Sequence, residues 1–214
     1  MAAVGVAAGV SGRLAAASGV QKVPSRRADL FVKRDFIPAD LCAALIARID
    51  ADRRPSTMAD HHGDASFRTS ESCDLHAALP EAQAIDRAIA DLTGLDPTHG
   101  EPLQGQRYDV GQEFRDHTDY FEPTGFDYLR YCADAGQRTW TVMIYLNRPI
   151  SGGATRFRTL DKIVQPEPGK LLAWSNLDPA GHPNPATLHA GLKVRSGVKY
   201  VVTKWYRERP WVRP

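Results

Sequence analysis

Residues 108–121 read Tyr-Asp-Val-Gly-Gln-Glu-Phe-Arg-Asp-His-Thr-Asp-Tyr-Phe, with His117-Thr118-Asp119 near the end of the run. Alternate residues of a strand point to one face, so an imidazole and a carboxylate two positions apart project side by side. They would supply two of the three ligands of a 2-His-1-carboxylate set, which suits non-haem iron(II) and leaves coordination positions open for reactants. The third ligand must be a distant histidine. His61 and His62 lie in a polar stretch, His76 precedes a helix, His99 sits in a Pro/Gly-flanked turn and His182 is among prolines. His189 differs. It ends a short strand-like segment, residues 187–189, before Ala190-Gly191, where the backbone can turn tightly. Ten positions later Lys199 opens an apolar strand.

The elements that must position these residues follow from periodicity. Asp40 is a reasonable N-cap for a helix carrying Leu41, Leu45, Ile46 and Ile49 at helical spacing. A second helix is expected over 80–92, with Pro80 in its first turn and Gly94 past its end. Residues 51–72 are polar and rich in turn residues, which predicts a long exposed loop. From about residue 101 the pattern changes to strands, over 103–108, 139–146, 170–174, 187–189 and 199–206. Helices followed by many short strands predict a mainly β fold with N-terminal helices, a jelly roll or barrel.

The 214 residues fit one domain, taken as 31–214, with an extension at 1–30. A net charge of +2 gives no general case for nucleic acid or an acidic membrane as partner. Lys193, Arg195, Lys204, Arg207, Arg209 and Arg213 make the C-terminal fifth basic and read as a solvated face, with Lys199 the buried exception. Cys42, Cys73 and Cys132 have no disulfide or zinc spacing and fit reduced thiols in a cytoplasmic protein. No apolar run approaches the length of a membrane span. The Ala/Gly/Val-rich residues 1–20 lack a charged n-region and are interrupted by Arg13, which argues against a signal peptide. They read either as a loosely ordered leader or as a short packing segment.

Several blocks together resemble the prolyl 4-hydroxylase-like branch of the iron(II)/2-oxoglutarate-dependent dioxygenases. These are Arg68-Thr69-Ser70, the run from Tyr108 to Phe121, Gln137-Arg138-Thr139 leading into Met143–Asn147, and Gly152–Phe157. Leu188–Gly191, Gly197–Tyr200 and Thr203–Trp205 complete them. The resemblance covers roughly residues 64–207 and implies a double-stranded β-helix. It implies Fe(II) on His117, Asp119 and His189, with 2-oxoglutarate on the open positions, O2 as oxidant and ascorbate as reductant. The far carboxylate of 2-oxoglutarate needs a cation in a dry pocket, which Lys199 would supply, with Tyr108 and Thr155 adding hydroxyl hydrogen bonds. Arg68, Ser70, Glu101, Arg138 and Trp205 would line a groove for a proline-containing peptide or protein. The bland alternatives are strand packing for Tyr108 and Thr155, core for Trp205 and a surface ion pair for Arg138.

The chain departs from the family at Phe114, Ala154, Arg158 and Leu192-Lys193. Its aromatic segment 122–136 and loop 51–72 flank the expected iron mouth, where substrate lids would lie. The same chemistry on a free amino acid or small metabolite is therefore the alternative to hydroxylation of a prolyl residue at C4. More remote are nucleic-acid demethylation, which lacks a basic, aromatic-interleaved groove, and a cupin-like metal sensor without turnover.

Overall fold

The structure is a computed structural model and describes residues 2–56 and 66–211. The Ala-rich start of the chain has good helix propensity and forms α1 (Ala2–Ala16). Val10 and Leu14 are buried, so of the two readings left open for residues 1–20 the packing segment is the one seen. Two short strands follow, β1 (Val20–Lys22) and β2 (Leu30–Lys33). Then α2 (Ala39–Ala51) starts two residues earlier than expected. Pro38 is its N-cap, and Asp40 lies inside the first turn, accepting the Leu41 N–H at 2.8 Å.

The exposed loop expected at 51–72 needs correcting. It contains β3 (Arg54–Pro55) and the start of β4 (Glu71–Leu75), which pair antiparallel, and Arg68 bridges to Phe114. His61 and His62 lie outside the described residues. Next, α3 (Pro80–Thr93) has Pro80 in its first turn and ends at Gly94 with φ 72°, the left-handed backbone that favours glycine.

The strands expected from about residue 101 open with β5 (Leu103–Tyr108); β6 (Phe114–His117), outside the strand ranges expected from the pattern, follows, and then a short helix, α4 (Phe126–Cys132). After it come β7 (Arg138–Tyr145), β8 (Ser151–Gly152), β9 (Thr155–Phe157), β10 (Lys162–Val164) and β11 (Leu171–Ser175). The last are β12 (His189–Gly191), β13 (Val194–Ser196) and β14 (Lys199–Arg207). Residues 185–187 form a 3-10 turn, so the expected strand at 187–189 instead begins at His189. Gly191 continues that strand rather than turning.

The eight-stranded sheet has the order β1-β2-β11-β7-β14-β5-β4-β3, and the four-stranded sheet β10-β9-β12-β6; all their pairs are antiparallel. Two cores explain why β7 and β14 are buried along both faces. Trp140, Val142, Ile144, Tyr200, Val202 and Tyr206 pack toward α1, α2 and α3. Met143, Tyr145 and Val201 pack with Phe157 and Val194 between the sheets. Alternate residues thus serve different layers. This is the double-stranded β-helix with N-terminal helices.

Candidate active site

His117 is the last residue of β6, and Asp119 lies in the bend just past it, so strand alternation alone does not place the pair. His189 opens β12 directly opposite His117 in register, and the two ring centroids are 4.2 Å apart. One donor atom from each of the three residues lies within 4.8 Å of the others; among the described residues no other such group occurs. Nε2 of His117 and of His189 stand 3.7 and 4.0 Å from the two Asp119 oxygens. Two metal–ligand bonds of ~2.1 Å span at most ~4.2 Å, so each histidine–carboxylate pair is within reach of one shared ion. Each imidazole is already turned for ligation. Nδ1 of His117 meets the Arg115 carbonyl at 2.7 Å and Nδ1 of His189 meets the Thr187 carbonyl at 3.0 Å, leaving both Nε2 atoms free to bind.

Electrostatics favour a metal-ready state. Burial, with His189 beside it, pushes the His117 imidazolium down to about 3, so the ring is neutral. Burial pushes the Asp119 carboxyl up, but His189, His117, Arg138 and a hydrogen bond from Thr141 outweigh it and hold it below its ordinary value. Phe114 stacks on His117 with centroids 3.4 Å apart, and the Arg68 guanidinium lies 4.9 Å above Phe114.

Lys199 begins β14 opposite Tyr108 in register and is 2% exposed. Its Nζ sits 4.9 Å from the Tyr108 ring and 5.6 Å from the Tyr145 ring, with no hydrogen-bond or ion-pair partner among the described residues. It lies close to β12: a Cβ on Gly191, two residues beyond His189, would come within 3.8 Å of Nζ. Burial alone pushes its ammonium down to about 7. Thr155 is buried nearby through Tyr145, whose hydroxyl donates to Thr155 Oγ1 at 2.6 Å. The Tyr108 hydroxyl donates to Gln106 Oε1 at 2.8 Å. A cation buried without an anion is a costly arrangement that a bound carboxylate would complete.

A groove of about 680 Å³ runs past the triad. Four of the five expected groove residues line it: Arg68, Glu101, Arg138 and Trp205. Ser70 does not; it lies behind Arg68 and accepts from its Nε at 3.1 Å. Arg138 donates twice to Glu101, at 2.6 and 2.7 Å, and covers the Trp205 ring at 4.3 Å. Arg138 is thus both an ion-pair partner and a groove residue, and the pair is largely buried instead of lying on the surface.

The solvated-face reading of the basic C-terminal residues is corrected at two positions. Lys204 is buried against Asp86 at 2.8 Å, and Arg207 is buried against Glu101 at 2.9 Å. Arg213 lies outside the described residues. Residues that sequence reasoning missed include Tyr145, Thr141, Asn176 and Arg207. A threonine between Trp140 and the apolar run Val142-Met143-Ile144 was the available signal for Thr141.

The 2OG-Fe(II) oxygenase superfamily model matches residues 103–207. Over 224 aligned residues the chain is 29% identical to "Probable prolyl 4-hydroxylase 9" of Arabidopsis thaliana, covering 94% of this chain and 76% of that protein. It is 36% identical to the prolyl 4-hydroxylase subunit alpha-1 of Gallus gallus over 68% of this chain, but spans only 28% of that subunit. Among solved structures, a viral collagen prolyl hydroxylase from Paramecium Bursaria Chlorella virus-1, crystallised with 2-oxoglutarate, superposes with a TM-score of 0.62 at 28% identity. That match covers 83% of this chain and 95% of the viral one. A prolyl hydroxylase from Trichoplax adhaerens, solved with a hypoxia-inducible-factor peptide, shares the fold with a TM-score of 0.63 at 14% identity, over 96% of this chain and 90% of that one.

The chain belongs to the 2OG-Fe(II) oxygenase superfamily, an oxidoreductase class that uses Fe(II), 2-oxoglutarate and O2. Within that superfamily it is prolyl 4-hydroxylase-like.

Proposed function

We propose that this enzyme hydroxylates a prolyl residue of a peptide or protein at C4, with His117, Asp119 and His189 holding Fe(II). The observation that carries the reading is the three-residue donor set beside a buried, unpaired lysine and an aromatic groove. When bound, the iron supplies oxidation of an unactivated C–H bond, coupled to conversion of 2-oxoglutarate to succinate and CO2.

The protein's part is binding, orientation and exclusion of water. Lys199 meets the far carboxylate of 2-oxoglutarate as a point charge in a dry pocket, where attraction is strong. Thr155 donates its own hydroxyl proton to that carboxylate while still accepting from Tyr145, and Tyr108 donates once its proton turns away from Gln106 Oε1. In the groove, Trp205 offers an apolar ring. Grooves lined by aromatic rings suit proline-rich segments because the extended helix they adopt is already ordered. Ascorbate fits as the reductant that keeps the iron in its ferrous state. The three buried free thiols, Cys42, Cys73 and Cys132, suit a reducing compartment such as the cytoplasm.

The test is turnover. Protein with Fe(II), 2-oxoglutarate and ascorbate is expected to release succinate faster when a prolyl peptide is added, and His117→Ala is expected to abolish the release. Stimulation by a free amino acid and not by any peptide would move the substrate to the small-metabolite alternative.

A further inference from the structure

We infer that Thr141 and Asn176 are positioning residues that fix Asp119 and His189 relative to each other through one buried hydrogen-bond chain. The inference rests on the metal reading proposed above. The Asp119 carboxylate has only lone pairs to offer, so the Thr141 hydroxyl, 2.7 Å from Oδ2, must donate its single proton to it. Asn176, 2.9 Å from the same hydroxyl, must then be a donor through Nδ2, which fixes which way its amide points. That orientation leaves Asn176 Oδ1 buried with no partner among the described residues. Such a group costs free energy, and a site that keeps one has a reason for the amide's direction.

The second arm runs through the Asn176 backbone. Its N–H donates to the Thr139 carbonyl at 2.8 Å, tying it to β7, and its carbonyl accepts from the Asn184 N–H at 2.9 Å. The Asn184 carbonyl accepts from the Thr187 N–H at 3.1 Å and from the Thr187 hydroxyl at 2.7 Å. The Thr187 carbonyl then meets His189 Nδ1 at 3.0 Å. Thr141, Asn176 and Thr187 are all fully buried, so water does not compete along the chain. His117 is outside it, held by Arg115 and Phe114. Asn176 thus joins the two arms. Its side chain aims Asp119 and its main chain sets the turn that aims His189, so the donors are ordered before an ion arrives.

The test uses Co(II) as the probe, titrated into the full chain without cosubstrate and followed by its visible absorption. Thr141→Val and Asn176→Ala are each expected to weaken Co(II) binding about 10- to 100-fold and to alter the spectrum. Thr141→Ser, which keeps the hydroxyl, is expected to stay near wild type. The double variant should lose no more than the worse single one, because both act through one chain. If the valine variant does not fold, Thr141→Ala and Asn176→Ala carry the same comparison. Co(II) affinity unchanged in these variants while only the melting temperature falls would mean a merely structural role and would overturn the inference alone. Wild-type protein that takes up no Co(II), or takes it up equally after His117→Ala, would overturn the metal reading and this inference with it.

Discussion

A lysine with no counter-ion, closed off between two tyrosine rings, is expensive to fold around. Burial lowers Lys199 from 10.5 to about 7. Between those two values the unfolded chain holds a proton that the folded chain has released, so this group's contribution to stability rises with pH across that window. Its full penalty is present below the lower value. Lys199→Met is therefore expected to raise the melting temperature of the ligand-free protein at neutral pH, by roughly 1–3 kcal/mol of stability. The gain should shrink as pH climbs toward 10.5. The same variant should lose 2-oxoglutarate binding in calorimetry; a variant that binds normally and gains no stability contradicts the assignment. Wild-type binding at about pH 8 should also take up a fraction of a proton, seen as a dependence of binding heat on the buffer's ionisation enthalpy. The burial of Lys199 agrees with its expected place as the one exception to a solvated basic face. The burial of Arg207 and Lys204 was not legible, because a charged residue on a strand reads as solvated until its partner, Glu101 or Asp86, is known from another element.

At the scale of elements, α4 is fastened at one end. Arg209 Nη2 donates to the carbonyls of Cys132 and Ala133 at 3.2 and 3.0 Å, and its Nε to that of Asp134 at 2.9 Å. Arg207 adds a bond to the Tyr131 carbonyl. Carbonyls at a helix C-terminus lack intrahelical partners, so basic side chains hold them well. Tyr131 stacks on Phe121 at 5.3 Å, and both line the groove. Arg209→Ala is expected to speed amide exchange across residues 126–134 and to raise KM for the peptide severalfold, with the melting temperature nearly unchanged. Slower turnover at an unaltered KM and unaltered exchange would argue against α4 as a substrate-side wall. The aromatic content of 122–136 pointed to the groove, but the helix was not legible, because seven residues carry too little periodicity. β1, β2 and β4 escaped for a related reason: they are short, β2 and β4 are defined by partner strands distant in sequence, and β1 rests on β2 alone.

For the molecule as a whole, the switch from helical to strand patterning near residue 101 was enough to read a mainly β fold with helices on one side. Its layering follows from alternation: β7 and β14 send one set of residues to the helices and the other to the space between the sheets. That second space holds Tyr108 and Tyr145, while the β6–β12 pairing of the small sheet holds His117 and His189. Closing the two sheets on each other is thus what assembles a site from residues more than seventy positions apart. The sequence motifs indicated the residues, but the hydrogen-bond chain from Asp119 through Asn176 to Thr187 exists only once four separate segments meet. The most direct test of the central claim is one mass-spectrometric assay. A prolyl peptide incubated with the enzyme, Fe(II), 2-oxoglutarate and 18O2 is expected to gain one labelled oxygen on proline, with one succinate released per product. Succinate formed without any oxygenated peptide, across a broad set of prolyl sequences, would contradict it.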